Sequence, residues 1–227
     1  ELYAGTYGSG IFHSSDNGDS WSGLNTGLSA TTVLSMATNS AGQVFAGTYF
    51  GGGIFRLPAD GSTWSAINVG LSATDVRAVA VNGGELYAGT YGIGVFRSQD
   101  GGQSWVNTSN GLSAHYITAL AVGTNGDLFA GADYVDGYGG VYRSTDNGEN
   151  WTEVNGGLIN TDVRALGVNS AGTLFAATYT QGGVYRSLDN GDSWTQVNSG
   201  MSCTSLWSFA INSGDDLFAG SSGCGDG

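Results

Sequence analysis

Residues 187–194 read Ser-Leu-Asp-Asn-Gly-Asp-Ser-Trp, and the spacing of this Ser, Asp, Gly and Trp recurs at residues 14–21, 98–105 and 144–151. Residues 57–64 keep only the glycine and the tryptophan. An aspartate two residues before a glycine can accept backbone N–H groups within its own turn, and the glycine can adopt positive φ. The tryptophan supplies a large surface for burial. We therefore predict four turns that are stabilised by their aspartate and tryptophan. A fifth turn, in which Ala59 replaces the aspartate, should be less stable.

The segments between these turns read as short strands. A segment of the type Leu-Tyr-Ala-Gly-Thr recurs at residues 2–6, 44–48, 86–90, 128–132, 174–178 and 217–221. A longer alternating apolar segment precedes most copies, a segment of the type Gly-Val-Phe-Arg precedes each turn, and a further strand follows each tryptophan. Four strands per unit, with Gly, Asn, Asp and Ser between them and no helical periodicity, indicate an all-β protein.

The repeat length points to one architecture. Four antiparallel strands per repeat of about 43 residues are typical of a β-propeller blade. We predict a single β-propeller domain over residues 1–227, with four whole blades and two partial ones, because the chain begins and ends in second strands. Two arrangements stay open: closure into five blades with one surplus strand, or a piece of a larger ring truncated at both ends, which we favour.

The four turns resemble the Asp-box, or BNR repeat, of sialidases, sortilin-type receptors, xyloglucan-cleaving enzymes and photosystem assembly factors. The resemblance implies the propeller fold. It also implies a structural role for the turn residues, because that family places these turns far from its active sites. The residues so assigned are Asp16, Gly18, Trp21, Asp100, Gly102, Trp105, Asp146, Gly148, Trp151, Asp189, Gly191 and Trp194.

The charge balance excludes several partners. The formal net charge is -13, with 19 acidic and 6 basic residues. Such a surface repels nucleic-acid phosphates and anionic lipid headgroups. No run of 18 or more apolar residues exists to span a bilayer. We therefore expect neither nucleic-acid binding nor membrane insertion. We also expect no metal or other cofactor, since Asp-Asn-Gly-Asp lacks the further ligands of a calcium loop.

The two cysteines lie near the carboxyl end. Cys203 precedes the last long apolar segment, and Cys224 follows the strand that returns from it. If Asn212 faces Asp215 or Asp216 in this hairpin, residue 203 faces residue 224 or 225. We predict a Cys203–Cys224 disulfide, which points to an oxidising compartment and hence to a secreted or cell-surface protein.

Tyrosines follow four of the second strands at equivalent positions. They are Tyr7, Tyr49, Tyr91 and Tyr179, with Phe50 beside one of them. Loops at this end of a blade commonly carry binding residues. The tyrosines either form an aromatic rim that stacks on sugar or peptide, or pack against neighbouring loops.

Loops that enter the first strands carry a second set of candidates. Two Asp-x-Arg pairs occupy equivalent positions two blades apart, Asp75 with Arg77 and Asp162 with Arg164, and Trp207 lies in a third such loop. The pairs could grip a polar ligand or satisfy each other structurally. Residues 133–140 form an inserted loop relative to the other repeats, and inserted loops often add specificity. Its candidates are Asp133, Tyr134, Asp136 and Tyr138.

The sequence favours binding over catalysis. The resemblance to sialidases implies an arginine triad, a Tyr–Glu pair and an acidic catalyst, none of which is recognisable. Paired carboxylates for glycoside hydrolysis could come only from Asp75, Asp133, Asp136 and Asp162, and we assign no catalytic residue. Near-identical repeats suit a scaffold or a repeated contact surface.

We therefore predict a non-catalytic extracellular module for binding, adhesion or surface structure. Its partners would be a glycan, a protein or peptide, or copies of itself. The alternative is a fragment of a glycoside hydrolase of sialidase or xyloglucanase type.

Overall fold

The computed structural model describes residues 1–223, and these residues form strands and turns without a helix. Within residues 1–223, no helix is therefore long or apolar enough to cross a membrane. The predicted all-β class is confirmed. The predicted partner of Cys203, Cys224, lies outside the described residues, so the disulfide stays a prediction.

In the described part of the chain, the strands form four four-stranded antiparallel sheets, one three-stranded sheet and one two-stranded sheet. This confirms four whole blades and two partial ones. The three-stranded sheet contains β1 (Leu2–Gly5), β2 (Ile11–Ser14) and β3 (Ser22–Gly23), and the two-stranded sheet contains β20 (Leu206–Ile211) and β21 (Leu217–Ser221).

The complete blades follow chain order from one edge to the other. The strands are β4 (Val33–Thr38), β5 (Val44–Thr48), β6 (Ile54–Leu57) and β7 (Ser65–Ala66), then β8 (Val76–Asn82), β9 (Glu85–Thr90), β10 (Gly94–Ser98) and β11 (Val106–Asn107). The next two blades contain β12 (Ile117–Val122), β13 (Leu128–Val135), β14 (Tyr138–Ser144) and β15 (Thr152–Glu153), then β16 (Val163–Val168), β17 (Leu174–Thr178), β18 (Gly183–Ser187) and β19 (Thr195–Gln196).

The chain divides into two compact units. The first unit contains Glu1–Tyr91 and Phe96–Asn107, and the second contains Gly92–Val95 and Thr108–Gly227. In the first unit, Phe45, Ile54, Val76, Leu86 and Trp105 belong to one buried cluster. In the second, a corresponding cluster contains Phe129, Val141, Val163, Leu174 and Trp194. Each unit thus has its own apolar core.

Small residues in the second strands let neighbouring blades pack closely. A Cβ atom added to Gly47 would lie 2.9 Å from Cγ1 of Val76, and one added to Gly131 would lie 2.7 Å from Cγ1 of Val163. Both valines belong to the first strand of the following blade. A side chain at Gly47 or Gly131 would therefore displace the valine of the following blade.

The Asp-box turns are closed by hydrogen bonds to the aspartate. In the turn at residues 187–194, the Ser187 hydroxyl and the Ser193 N–H donate to Oδ1 of Asp189 at 2.8 and 2.9 Å. The Ser193 hydroxyl donates to Oδ2 at 2.5 Å. Gly191 has φ 92° and its N–H donates to the Ser187 hydroxyl at 2.9 Å. The aspartate thus joins both sides of the turn.

These hydrogen bonds also stabilise the ionised form of the turn aspartate. Donation by the Ser193 side chain, followed by its backbone N–H, lowers the pKa of Asp189 to about 2. The same donors from Ser104 lower the pKa of Asp100 to about 2. The turn at residues 57–64 has no such aspartate. There Asp60 accepts the N–H of Ser62 at 3.0 Å, and the side chain and backbone N–H of Ser62 lower its pKa.

In four of the five turns, the tryptophan packs against the preceding blade. Its indole Nε1 donates to a backbone carbonyl there at 2.6–2.8 Å, in the pairs Trp64 to Leu24, Trp105 to Ile67, Trp151 to Thr108 and Trp194 to Val154. These four rings are buried, whereas Trp21 is 45% exposed. The predicted burial of the tryptophan is therefore wrong for Trp21, which has no blade before it within residues 1–20.

Candidate functional site

A β-bulge recurs at the start of every described first strand. The register with the second strand shifts between Val76 and Ala78 in β8, and between Val163 and Ala165 in β16. The corresponding shifts occur in β4, β12 and β20. A bulge leaves one residue without a ladder partner and re-aims its side chain. The residues so placed are Leu34, Arg77, Thr118, Arg164 and Trp207.

In the first unit, the bulged residue is an arginine held by one carboxylate. Nε of Arg77 donates to Oδ1 of Asp75 at 3.3 Å, and NH2 donates to Oδ2 at 3.3 Å. The guanidinium lies 3.7 Å from the ring centroid of Tyr91 and 5.1 Å from that of Tyr49. Both distances allow a cation–π interaction. The predicted Asp75–Arg77 pair and two predicted tyrosines thus form one cluster.

An exposed aromatic group continues from this cluster. The Tyr49 ring centroid lies 3.9 Å from that of Phe50 and 6.4 Å from that of Tyr7. Phe50 is 81% exposed and has φ 51°, a left-handed conformation that is unfavourable for a bulky residue. With Tyr49 it lines an open cavity of about 310 Å³, together with residues 29–32 and 51–52. Strained backbone of this kind is often found at binding sites.

In the second unit, the bulged arginine is held by two carboxylates. NH2 of Arg164 donates to Oδ1 of Asp133 at 3.0 Å and to Oδ2 of Asp162 at 3.1 Å. Nε lies 2.8 Å from Oδ1 of Asp162 as an ion pair. The guanidinium lies 5.2 Å from the Tyr179 ring and 5.0 Å from the Trp207 ring, which meet edge to face at 5.1 Å. Five predicted residues thus converge.

The second cluster is more buried than the first. The side chains of Arg164, Asp133 and Asp162 are 13%, 10% and 13% exposed, against 22% and 23% for Arg77 and Asp75. Burial raises the pKa of Asp162, with a further contribution from Asp133, while Arg164 acts in the opposite direction. Burial therefore works against the ionised form of Asp162, and the Arg164 guanidinium works in its favour.

The segment at residues 133–140 forms a hairpin rather than the open loop expected from the sequence. β13 extends to Val135, β14 begins at Tyr138, and these two residues pair. The turn between them is Asp136-Gly137, with φ 55° and 89°. Asp-Gly suits the paired positive φ values that such a turn requires. The added residues therefore lengthen two strands.

The exposed tyrosines of this hairpin line different cavities. Tyr134 is 57% exposed and lines a cavity of about 500 Å³ with Asp162 and Ile159, to which Asn160, Thr161 and Thr180 also contribute. Tyr138 and Asp136 line a cavity of about 290 Å³ with His115 and Tyr116. Tyr134 therefore belongs beside the Arg164 cluster, whereas Tyr138 and Asp136 belong to a separate surface.

Sequence reasoning missed the bulges and the contact between Asp133 and Arg164. A signal for Asp133 existed, because it stands where four other repeats have Tyr7, Tyr49, Tyr91 and Tyr179. It also missed Asn160, whose side chain donates to the Tyr179 carbonyl at 2.7 Å. Within residues 1–223, no group of three or more His, Cys, Asp or Glu side chains could hold a metal ion.

Blades of β-propeller type with Asp-box turns define the class of this protein. The BNR/Asp-box repeat model matches residues 142–153. No curated protein sequence matches the chain. The solved structures that resemble it show the same fold at low sequence identity, and the chain spans about one third of the length of the three described next.

Three of these structures cover 96% of this chain. The extracellular domain of a putative hybrid two-component system from B. thetaiotaomicron has a TM-score of 0.78, with 18% identity over 31% of its length. An ancestral GH74 enzyme has a TM-score of 0.74, with 20% identity over 33% of its length. PorZ, a surface component of the type-IX secretion system of Porphyromonas gingivalis, has a TM-score of 0.67, with 18% identity over 36% of its length.

Proposed function

We propose that this protein is a non-catalytic, extracellular or cell-surface binding module that holds its ligand at the bulged ends of its first strands. The observation that carries the proposal is the Arg164 cluster. It combines a guanidinium fixed by two carboxylates with two aromatic rings. One of its members, Asp162, also lines an open cavity of about 500 Å³. Concave sites with a few fixed polar groups beside aromatic surface are typical of ligand binding.

Exposed aromatic side chains support the proposal. Trp207 is 47% exposed beside Arg164, while Tyr7 and Phe50 are 78% and 81% exposed beside the first cluster. Grouped exposed rings mark contact surfaces more often than isolated ones do. Their flat faces suit stacking on a sugar ring or packing on a peptide, and a second copy of the chain could present similar groups.

The arrangement of carboxylates supports binding rather than glycoside hydrolysis. Hydrolysis requires two carboxyl groups that flank the scissile bond and act separately as acid and as base or nucleophile. Here Asp133 and Asp162 both engage the same guanidinium, and Asp75 engages Arg77. The fold likeness to a GH74 enzyme keeps a glycoside hydrolase fragment as the second candidate.

The extracellular location rests on fold likeness and composition. Two of the similar structures are an extracellular domain and a bacterial surface component. An acidic chain without lysine also suits a role away from nucleic acids and anionic membranes. The predicted Cys203–Cys224 disulfide would add to this argument, since such bonds persist in oxidising compartments.

The test is a binding screen of the labelled chain against glycan and peptide arrays. We expect a discrete set of bound ligands, and at least tenfold weaker binding after Trp207→Ala. Leu188→Ala is the matched control because Leu188 is also exposed, at 74%, but lies in an Asp-box turn. Its binding should equal that of the parent chain. Release of reducing sugar from any bound glycan would contradict the non-catalytic proposal, and equal loss in both variants would contradict the site.

A further inference from the structure

The loop that leads into β16 departs from the repeat at two adjacent positions. Residues 158–160 read Leu-Ile-Asn, whereas the four equivalent loops read Leu-Ser-Ala or Met-Ser-Cys. The serines of those loops are Ser29, Ser72, Ser113 and Ser202. Ile159 takes their place and is 86% exposed. An aliphatic side chain thus faces water at a position where the same fold accepts serine.

A third departure from the repeat lies beside this loop. The hairpin at residues 133–140 is inserted relative to the other repeats, and its Tyr134 is 57% exposed. Tyr134, Ile159 and Asn160 line the same open cavity of about 500 Å³. Exposed apolar side chains that occur singly are ordinary on a protein surface, but a group of them in one concavity marks a contact site. The three departures therefore meet at one cavity.

Hydrogen bonds hold the walls of this cavity in place. The Asn160 side chain donates to the carbonyls of Tyr179 and Thr180 at 2.7 and 3.1 Å. The alanine of three equivalent loops could make neither bond. From the inserted hairpin, the Gly140 N–H donates to the Thr161 carbonyl at 2.6 Å. A ligand would therefore meet walls that are already formed, which reduces the entropy lost on binding.

The lining of the cavity favours an apolar group. The Ile159 side chain has no hydrogen-bonding atom, so a sugar hydroxyl buried against it would lose water without gaining a partner. An apolar side chain would instead remove surface of Ile159 and Tyr134 from water. Asp162 also lines the cavity, and the net charge is -13, so acidic groups on a ligand would be repelled. These features together suit an apolar residue on a neutral or basic peptide.

We propose that the cavity between the 133–140 hairpin and the loop that leads into β16 binds an apolar side chain of a neutral or basic peptide segment, with Ile159 and Tyr134 as contact residues. The inference rests on the proposed binding function and names the ligand class for this site. Asp162 connects the cavity to the Arg164 cluster, because it lines the cavity and pairs with Arg164.

The test is a selection from a displayed library of random dodecapeptides on the immobilised chain. We expect the selected peptides to share an apolar residue at one position and to lack clustered acidic residues. Replacement of that apolar residue by serine should weaken binding at least tenfold, since the contact with Ile159 and Tyr134 is lost. Selected peptides that share no apolar residue, or a library that yields no binder, would overturn the proposal.

Variants of the chain locate the contact. Ile159→Ser introduces the residue of the four equivalent loops, so we expect an unchanged melting temperature and at least tenfold weaker binding of a selected peptide. Tyr134→Ala should have a similar effect on binding. Leu188→Ser is the matched control, because Leu188 is also apolar and exposed but lies in an Asp-box turn. Its binding should equal that of the parent chain. Full binding by Ile159→Ser, or equal loss in Leu188→Ser, would overturn the proposal.

The outcome also distinguishes this inference from the proposed function. Array ligands that bind in a Trp207-dependent manner but bind Ile159→Ser as well as the parent chain would contradict this site and leave the binding module standing. Glycans that lose binding in Ile159→Ser would assign the cavity to sugar and overturn the peptide proposal. An array and a library that both yield no binder would contradict both proposals.

Discussion

The two arginine clusters are built on the same local structure and differ in one neighbour. Arg77 and Arg164 each occupy the bulge of a first strand, and each pairs with an aspartate two residues earlier. Arg77 has Tyr49 on the side where Arg164 has Asp133. The backbone therefore fixes the position of the guanidinium. The preceding blade determines whether an aromatic ring or a second carboxylate lies beside it. Repeats of one architecture can thus carry different chemistry.

Removal of each arginine in turn should give the largest difference in stability between the two clusters. Arg164→Ala leaves two buried carboxylates without their guanidinium, and we expect it to lower the free energy of unfolding by about 3 kcal/mol. Arg77→Ala leaves one more exposed carboxylate and should cost about 1 kcal/mol. Urea denaturation measures both values. Equal losses would show that the difference at residue 133 has no energetic consequence.

Exchange of the two residues that distinguish the clusters, Asp133 and Tyr49, should have different effects on stability. Asp133→Tyr removes a buried carboxylate and leaves Arg164 paired with Asp162, so we expect the free energy of unfolding to stay constant or rise by about 1 kcal/mol. Tyr49→Asp breaks the ring contacts with Arg77 and Phe50 and adds a carboxylate, and should lower it by about 2 kcal/mol. Urea denaturation of both variants tests this interpretation. Equal changes in the free energy of unfolding, in the same direction, would contradict it.

Acid titration should distinguish Asp162 from the Asp-box turns. Because the folded pKa of Asp162 is raised, its contribution to stability is most favourable below its unfolded pKa of about 4 and is lost as pH rises from there through the raised folded pKa. The pKa of Asp189 is lowered to about 2, so its stabilising contribution is present above pH 4 and is lost as pH falls towards 2.

Two asparagine variants test this opposite behaviour. Relative to the parent chain, Asp162→Asn should lower the melting temperature less at pH 7 than at pH 4. Asp189→Asn should lower the melting temperature more at pH 7 than at pH 3. Thermal melts at these pH values provide the measurement. Parallel pH profiles for both variants would exclude the assigned directions.

The smallest expected effect is repair of the degraded turn in the first unit. Ala59→Asp would return a carboxylate to the position that Asp189 has in the second unit. We expect a gain of about 0.5 kcal/mol, since Leu57 replaces the serine that normally donates to this aspartate. A gain as large as the loss from Asp189→Asn would show that the serine is dispensable.

The fold could be predicted because its determinants are local and repeated. The spacing of Asp, Gly and Trp in the turns and the alternation in the strands place all six second strands, which appear at residues 2–5, 44–48, 85–90, 128–135, 174–178 and 217–221. Asparagine or glycine before the turn glycine also has a physical reason, because this residue has positive φ at Asn17, Gly101, Asn147 and Asn190.

The site could be predicted only in part. Tyr49, Tyr91, Arg77, Arg164 and Tyr179 were found because they repeat. A bulge leaves no mark in the alternation of a short strand, and the pairing of Asp133 with Arg164 joins residues 31 apart on different blades. The left-handed backbone of Phe50 is likewise invisible in a sequence, because glycines follow it and would be expected to take that conformation instead.

The recurrent bulge has a consequence for variation among repeats. A residue outside the hydrogen-bond ladder can change its side chain without altering the register of its strand. The five bulged positions already hold leucine, arginine, threonine, arginine and tryptophan on otherwise similar strands. Each of the five described first strands therefore offers one position at which selection or a protein engineer can change the side chain independently, while the hydrogen-bonded scaffold stays the same.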